Sequence, residues 1–312
     1  MTHAHNADQT ERAAIENGSA PASAGIDDDR LAGVTEDELE GPLSDTWSKR
    51  DAVIDDASGE TLTELERRAT LLGSAYPFSI NGSSLQYTGS ATGIYEYCLA
   101  TSLAPDVNST KFLPLSVNFE LLSCEITRRY LGTNAKALRI GWPSHDPIQR
   151  PTKFKAVAAV VHSATGEWNW SPTPPNPDDP SHLHVKDEGV DYIVWVPMLD
   201  SRTGKLFLLG QCACGDNWDT KLTDISEFKL RSWLNPITSA PFAKAFSVPR
   251  HIVGTHIFHY CSSQAGITFD RARIAMIAEA AQHSSEMATL AQSLQLDNLT
   301  RLVIPRYSGA KP

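Results

Sequence analysis

The sequence contains no apolar run approaching the roughly 18 residues that would cross a bilayer, so a transmembrane segment is not expected. Its first residues, MTHAHNADQTERAAIENG, have neither the basic flank nor the apolar stretch of a secretory signal, and export is not expected either. Cysteine is scarce. Cys98, Cys124, Cys212, Cys214 and Cys261 form an odd set without a CxxC pair, which argues against a disulfide framework and a four-cysteine zinc module. Reduced thiols in a cytoplasmic protein are the expectation. Also missing are a GxSxG elbow, a P-loop and a GxGxxG ahead of a helix, so triad-hydrolase, NTPase and dinucleotide chemistries have no support.

What is present is an ordinary globular composition, 41% hydrophobic and 21% charged over 312 residues, enough for one large domain or two smaller ones. The net charge of −10 is unevenly placed: residues 1–64 hold 16 Asp and Glu against four Lys and Arg, and the remainder is slightly basic. Clusters such as Asp27-Asp28-Asp29 and Glu36-Asp37-Glu38, with few aromatics, predict that residues 1–60 form a disordered acidic tail. The functional alternative is an acidic arm that fills a basic groove or meets a partner. The near-neutral body can approach nucleic acid, although its charge does not by itself require that.

The body is expected over residues 61–312. Leu62, Leu65, Ala69 and Leu72 recur at helical spacing behind a Thr61/Glu64 capping box, and an extended turn at 76–87 and an apolar helix at Ile94–Leu103 follow, so residues 61–112 read as an N-terminal extension. Phe119, Leu122, Ile126 and Tyr130 form one helical stripe ending at Gly132. A strand at Lys136–Gly141, a helix at Lys153–His162 and a Pro-rich loop at 166–181 come next. VDYIVWVP (190–197) and KLFLLGQCA (205–213), joined by MLDSRTG, have the pattern of a β-hairpin. A helix at 218–230, a strand at 242–248, a helix at 252–262, a short strand at 266–269 and a long helix at 271–294 complete an α/β sandwich with a mixed sheet.

Alternation along the second hairpin strand places Gln211 and Ala213 on one face, with Gly210 and Cys212 on the other. Asp191 enters the facing strand. An acid entering one strand and an oxygen ligand leaving its neighbour, on a face served by a helix carrying Glu120, can present hard oxygen donors to Mg²⁺. Asp-Glu-Gly-Val-Asp (187–191), the hairpin and Gln-Cys-Ala (211–213) together resemble the PD-(D/E)xK, restriction-endonuclease-like superfamily, in its variants with a Gln-x-Lys second motif. The resemblance runs over about residues 113–275.

It implies a restriction-endonuclease-like mixed β-sheet flanked by helices, and metal-dependent phosphodiester hydrolysis of DNA, in bacterial anti-phage defence or DNA processing. Asp191, Gln211, the Cys212 carbonyl and Glu120 would hold Mg²⁺ or Mn²⁺, and DNA, a companion ATPase and a homodimer are the implied partners. Where the family has its lysine this chain has Ala213. Lys221, in Gly-Asp-Asn-Trp-Asp-Thr-Lys, is the expected substitute on the helix that follows, orienting water and stabilising developing charge. Without a substitute, the same fold would be an inactive module binding nucleic acid or a partner. Arg271 and Arg273 are candidates for phosphate contact, beside a reading as helix-cap ion pairs. His256, His259 and Cys261, with His182 and His184, have spacing that invites zinc but match no known signature, so packing roles are expected. Trp168 and Trp170 are read as core-edge packing before base stacking.

Overall fold

Thr2–Asn17 form a helix, α1, in the segment expected to be disordered. The structure is a computed structural model that describes residues 2–26, 43–140, 153–173 and 188–311. It has two compact units, Met1–Pro105 with Arg271–Pro312, and Asp106–Asp270, in place of the single domain expected over 61–312. The fold is mixed α/β, with a five-stranded and a three-stranded sheet. Among the described residues no helix is long and apolar enough to cross a membrane.

In the first unit α1 is followed by β1 (Ser19–Pro21), α2 (Leu43–Leu72), the hairpin β2 (Phe78–Asn81) and β3 (Ser84–Tyr87), and α3 (Ile94–Leu103). β1 and β2 pair antiparallel on either side of β3. The tail expectation fails for residues 2–26 because the acids of α1 have distant partners. Asp8 and Glu11 are buried against Arg68 of α2, while Ala7, Ala14 and Ile15 add apolar contact. The Asp27–Asp29 and Glu36–Glu38 clusters lie outside the described residues. Thr61 and Glu64 sit inside α2 and do not open a helix: Thr61 returns its hydroxyl to the Ala57 carbonyl at 2.8 Å, and Glu64 pairs with Arg67 and Arg68.

The second unit opens with α4 (Leu113–Leu131), where Pro114 suits the first turn and Gly132, at φ 107°, ends the helix. Leu115, Phe119, Leu122 and Ile126 are fully buried, as their spacing requires. Tyr130 of the same stripe is half exposed and packs edge-on against Phe269. Then come β4 (Lys136–Arg139), α5 (Phe154–Thr165), the hairpin strands β5 (Tyr192–Val196) and β6 (Leu206–Cys212), α6 (Glu227–Arg231), β7 (Ala243–Ser247), α7 (Thr255–Ala265) and β8 (Ile267–Phe269). The sheet order is β4-β5-β6-β7-β8, antiparallel as far as β6 and parallel from there to β8.

Each face of this sheet has its own partners. Arg139, Tyr192 and Gly210 are paired across β4, β5 and β6 and so share a face, and the Tyr192 hydroxyl bonds Thr127 of α4 at 2.9 Å and Ser247 of β7 at 3.0 Å. The opposite face carries Ile193, Leu209 and Phe207 against Phe154, Val157 and Val161 of α5. Further along it, Ala213, Phe246 and Val248 pack with Cys261 and Ala265 of α7. Trp168 is fully buried in the α5 cluster and Trp170 stacks on Trp233 at 5.8 Å, so packing accounts for both.

The chain returns to the first unit through α8 (Arg271–Glu279), α9 (Ser284–Ser293) and α10 (Leu296–Thr300). The single helix expected over 271–294 is thus broken after Glu279.

Candidate active site

Asp191 stands at the entry to β5, where the regular pairing of the hairpin stops at Tyr192 and Gly210. Its N–H donates to the Gly210 carbonyl at 2.8 Å, and its Oδ2 accepts the Cys212 N–H at 2.6 Å. A side-chain carboxylate thus continues the ladder where a backbone carbonyl would have done so. That places a negative charge at the end of the sheet, next to the carboxyl end of β6. Open α/β sheets commonly present ligand sites at strand carboxyl ends.

Gln211, one residue before Cys212, is 5% exposed. Its Nε2 donates to Oδ2 of Asp224 at 2.8 Å. Asp224 follows the short 3-10 turn Trp218–Lys221, and its own N–H bonds the Lys221 carbonyl at 3.2 Å. Gly189, two residues before Asp191, has φ +79°, and a Cβ there would fall 3.0 Å from the Asp224 backbone. Only glycine allows this close approach without strain. The turn bearing Asp224 therefore packs on the loop that delivers Asp191. Sequence reasoning missed Asp224; its only signal was an acid three residues after Lys221.

Glu120 does not join Gln211. It projects from α4 to Arg139, whose Nε donates to Glu120 Oε2 at 2.8 Å, on the face opposite Gln211. The expectation that Asp191, Gln211 and Glu120 converge on one side is corrected here, since alternation along β6 puts Gln211 on the α5 and α7 face while α4 covers the other. Arg139 is 5% exposed, and its Nη1 has no hydrogen-bond partner among the described residues. On Glu120's side of the sheet lies the Cys212 thiol, held well above its ordinary pKa by burial first and then by the negative charge of Asp191 and Glu120. Both effects disfavour the thiolate, the form in which a cysteine acts as a nucleophile.

Ala213 shares a face with Gln211, as expected, but it is 1% exposed and enclosed by Leu222, Phe246 and Val248. Lys221 is half-buried on the 3-10 turn, because the helix expected over 218–230 is reduced to that turn and to α6. Arg271 lies in the other unit, fully buried, with its guanidinium on Asp8, so the assignment to phosphate contact is corrected for this residue. Arg273, in the same unit, is exposed.

All five cysteines are free thiols. His256 and His259 are exposed while Cys261 is buried, and His182 and His184 lie outside the described residues. Among the described residues no three of His, Cys, Asp or Glu gather to hold a metal ion. A cation at the hairpin end would therefore need the Gln211 amide oxygen and main-chain carbonyls beside the carboxylates. Such a donor set is all hard oxygen, suited to Mg²⁺ or Mn²⁺ and poorly to zinc. No family model, curated protein or solved structure matches the chain.

Proposed function

We propose that the Asp106–Asp270 unit is a Mg²⁺- or Mn²⁺-dependent nuclease acting on DNA. The observation that supports it best is the Asp191 carboxylate held on the Cys212 N–H at the carboxyl end of β6, the residue that follows Gln211. The order of helix, strand, hairpin and parallel strand around them also agrees with the restriction-endonuclease-like resemblance. Asp191 supplies the charge of the site, the Gln211 Oε1 and the Cys212 carbonyl supply neutral oxygens, and Lys221 supplies the positive charge that Ala213 lacks. A bound divalent cation would contribute Lewis acidity and a lowered pKa of its water. A role in anti-phage defence or DNA processing, with a companion ATPase or as a homodimer, is part of the same proposal and rests on the resemblance alone.

Two observations favour a second reading, a module of this fold that binds nucleic acid or a partner without cutting. Glu120 is committed to Arg139, and the lysine position is closed by apolar packing around Ala213. Incubating the full chain with plasmid and linear DNA, with Mg²⁺ or Mn²⁺ and then with EDTA, separates the two. Cleavage that needs the cation and disappears in Asp191→Asn supports the nuclease. Binding in EDTA with no cleavage under any condition transfers the assignment to the binding module.

A further inference from the structure

We infer that Asp297 and Arg301 form a binding site for a free α-amino acid in the first unit. Every residue of this site belongs to Met1–Pro105 with Arg271–Pro312, so it stands or falls apart from the nuclease reading of the second unit.

A cavity of about 360 Å³ lies against α9, α10 and the segment ahead of α3, and its walls include Ala91, Ala288, Ala291, Gln292, Asp297 and Arg301. That is the low end for small-molecule pockets, which run from about 300 to 1,000 Å³. Gln295, with φ 53° in the left-handed region, turns the chain between the two helices and lets Gln292 and Asp297 share one cavity. The alanines keep much of the wall small and apolar, while the carboxylate and the guanidinium bring charge of both signs.

Asp297 and Arg301 are four residues apart, a spacing at which opposite charges on a helix normally pair. They do not pair here. Arg301 gives Nε to the Tyr307 carbonyl at 2.9 Å and Nη1 to Asn298 Oδ1 at 3.0 Å, which leaves Nη2 without a hydrogen bond among the described residues. Asp297 makes no ion pair among them. Its carboxylate stands where two glycines leave room: Oδ1 is 3.2 Å from the place a Gly93 Cβ would take, and Oδ2 is 2.9 Å from that of Gly309. Arg301 Nη2 is 3.5 Å from the same Gly309 position, so opposite charges flank one small space. The Tyr307 hydroxyl beside the Gly93 position is kept protonated by burial and by the nearby carboxylates, and brings no compensating charge. Both charged residues are half-buried, so water screens them incompletely.

A ligand that answers both groups carries an ammonium for Asp297 and a carboxylate for the guanidinium, close together. An α-amino acid has the two on one carbon. A phosphate or a simple carboxylic acid would meet Arg301 but be repelled by Asp297, and a polyamine would meet the reverse. The amino-acid side chain would lie along Ala288 and Ala291, where the Gln292 amide can donate to or accept from a polar tip.

The common L-α-amino acids are screened against the full-length protein at millimolar concentration by saturation-transfer NMR, and those that respond are titrated by calorimetry. The methyl ester of each, which lacks the carboxylate, and the N-acetyl derivative, which lacks the ammonium, are titrated beside it. At least one amino acid should bind, with both derivatives weaker by about tenfold or more, the usual loss with one charged hydrogen bond. Asp297→Asn, with folding followed by circular dichroism, should lose a similar factor. Arg301→Lys keeps the charge but not the fork that also holds Tyr307 and Asn298, and should weaken the amino acid more than its methyl ester. Absence of binding by every amino acid overturns the inference. So does an ester or N-acetyl derivative that binds as well as its parent, or a folded Asp297→Asn of wild-type affinity.

Discussion

Both ends of the Arg271 guanidinium reach Asp8, with Nη1 2.9 Å from Oδ1 and Nη2 3.0 Å from Oδ2. Arg68 adds a bond of 2.7 Å to Asp8 and one of 3.0 Å to Glu11, and both arginines are fully buried. Tyr76 and Tyr95 direct their hydroxyls at the same Glu11 oxygen, at 2.8 and 2.9 Å. Breaking a buried pair strands the opposite charge and costs about 3–5 kcal/mol. Asp8→Asn should lower stability to urea by an amount of that order, and deletion of residues 1–26 by more. A truncated protein as stable as the full chain would return residues 2–26 to the status of a solvated tail.

Acid should act on the same cluster. Burial alone would raise the Asp8 pKa, but Arg271 and Arg68 outweigh it and hold the carboxyl well below the usual aspartate range. A carboxyl depressed in the folded state binds protons more readily when unfolded. Its stabilisation is therefore complete above the unfolded aspartate pKa of about 3.9 and is lost as pH falls through the folded value. Glu64 and Glu125 are lowered as well: burial opposes this in both, and arginine neighbours prevail. Glu96, raised by burial, works in the opposite sense. Urea unfolding between pH 7 and pH 3 should show stability falling below about pH 5, and falling less steeply in Asp8→Asn. A parallel decline in the two proteins would remove Asp8 from the explanation.

Why some of this was legible in the sequence and some was not follows from the range of the interactions. The α4 stripe and the β5–β6 hairpin are written in local periodicity, and the structure puts them at Leu113–Leu131 and at Tyr192–Val196 with Leu206–Cys212. The α1 acids looked like a solvated charge run because their cations lie some 60 and 260 residues away. Periodicity cannot show such partners. At the candidate site, alternation placed Gln211 and Ala213 on one face correctly, but which face α4 would cover is a matter of topology. Glu120 was accordingly joined to the wrong side, and Arg139, a lone arginine at a strand end, gave no signal of its own.

Gly210 should prove irreplaceable for a reason visible only in three dimensions. A Cβ on this residue would lie 2.0 Å from Cζ of Tyr192, whose ring crosses the β6 backbone on its way to Thr127 and Ser247. Gly210→Ala must displace a fully buried ring and its two hydroxyl contacts, at a cost of about 3 kcal/mol from overpacking and lost hydrogen bonds. Adding Tyr192→Leu should recover part of the loss by making room. If equilibrium unfolding finds Gly210→Ala as stable as wild type, the ring does not constrain the site.

Glu120 should matter to stability more than to cation binding. Truncating it to alanine leaves the Arg139 guanidinium buried without its carboxylate, a loss of about 3 kcal/mol that Arg139→Met in the same chain should largely reverse. Glu120→Gln should leave Mn²⁺ affinity unchanged, because the Arg139 pair and not the Gln211 face holds its carboxylate. A large fall in affinity with unaltered stability would reinstate Glu120 as the metal ligand that the resemblance implies.

The last prediction concerns the missing lysine. Placing the lysine that the resemblance implies at position 213 is not expected to help: Ala213 is enclosed by Leu222, Phe246 and Val248, so Ala213→Lys would press an ammonium into an apolar cluster. That variant should lose stability without gaining rate. If the proposed nuclease reading holds, Lys221, half-buried on the turn whose carbonyl anchors Asp224, would orient water and oppose developing charge. Removing one preorganised electrostatic group costs on the order of 100-fold in rate, so Lys221→Ala should slow cleavage by about that factor while DNA binding and folding change little. The measurement is Mn²⁺- and Mg²⁺-dependent cleavage of double-stranded DNA, single-stranded DNA and RNA by wild type, Lys221→Ala and Asp191→Ala. A fully active Lys221→Ala beside an inert Asp191→Ala would keep the site and move the lysine's role elsewhere, with Arg139→Gln the next variant to measure. A wild type inert on all three substrates with either cation would leave Asp191 as the residue that closes the ladder at Cys212, and the unit as a binding module.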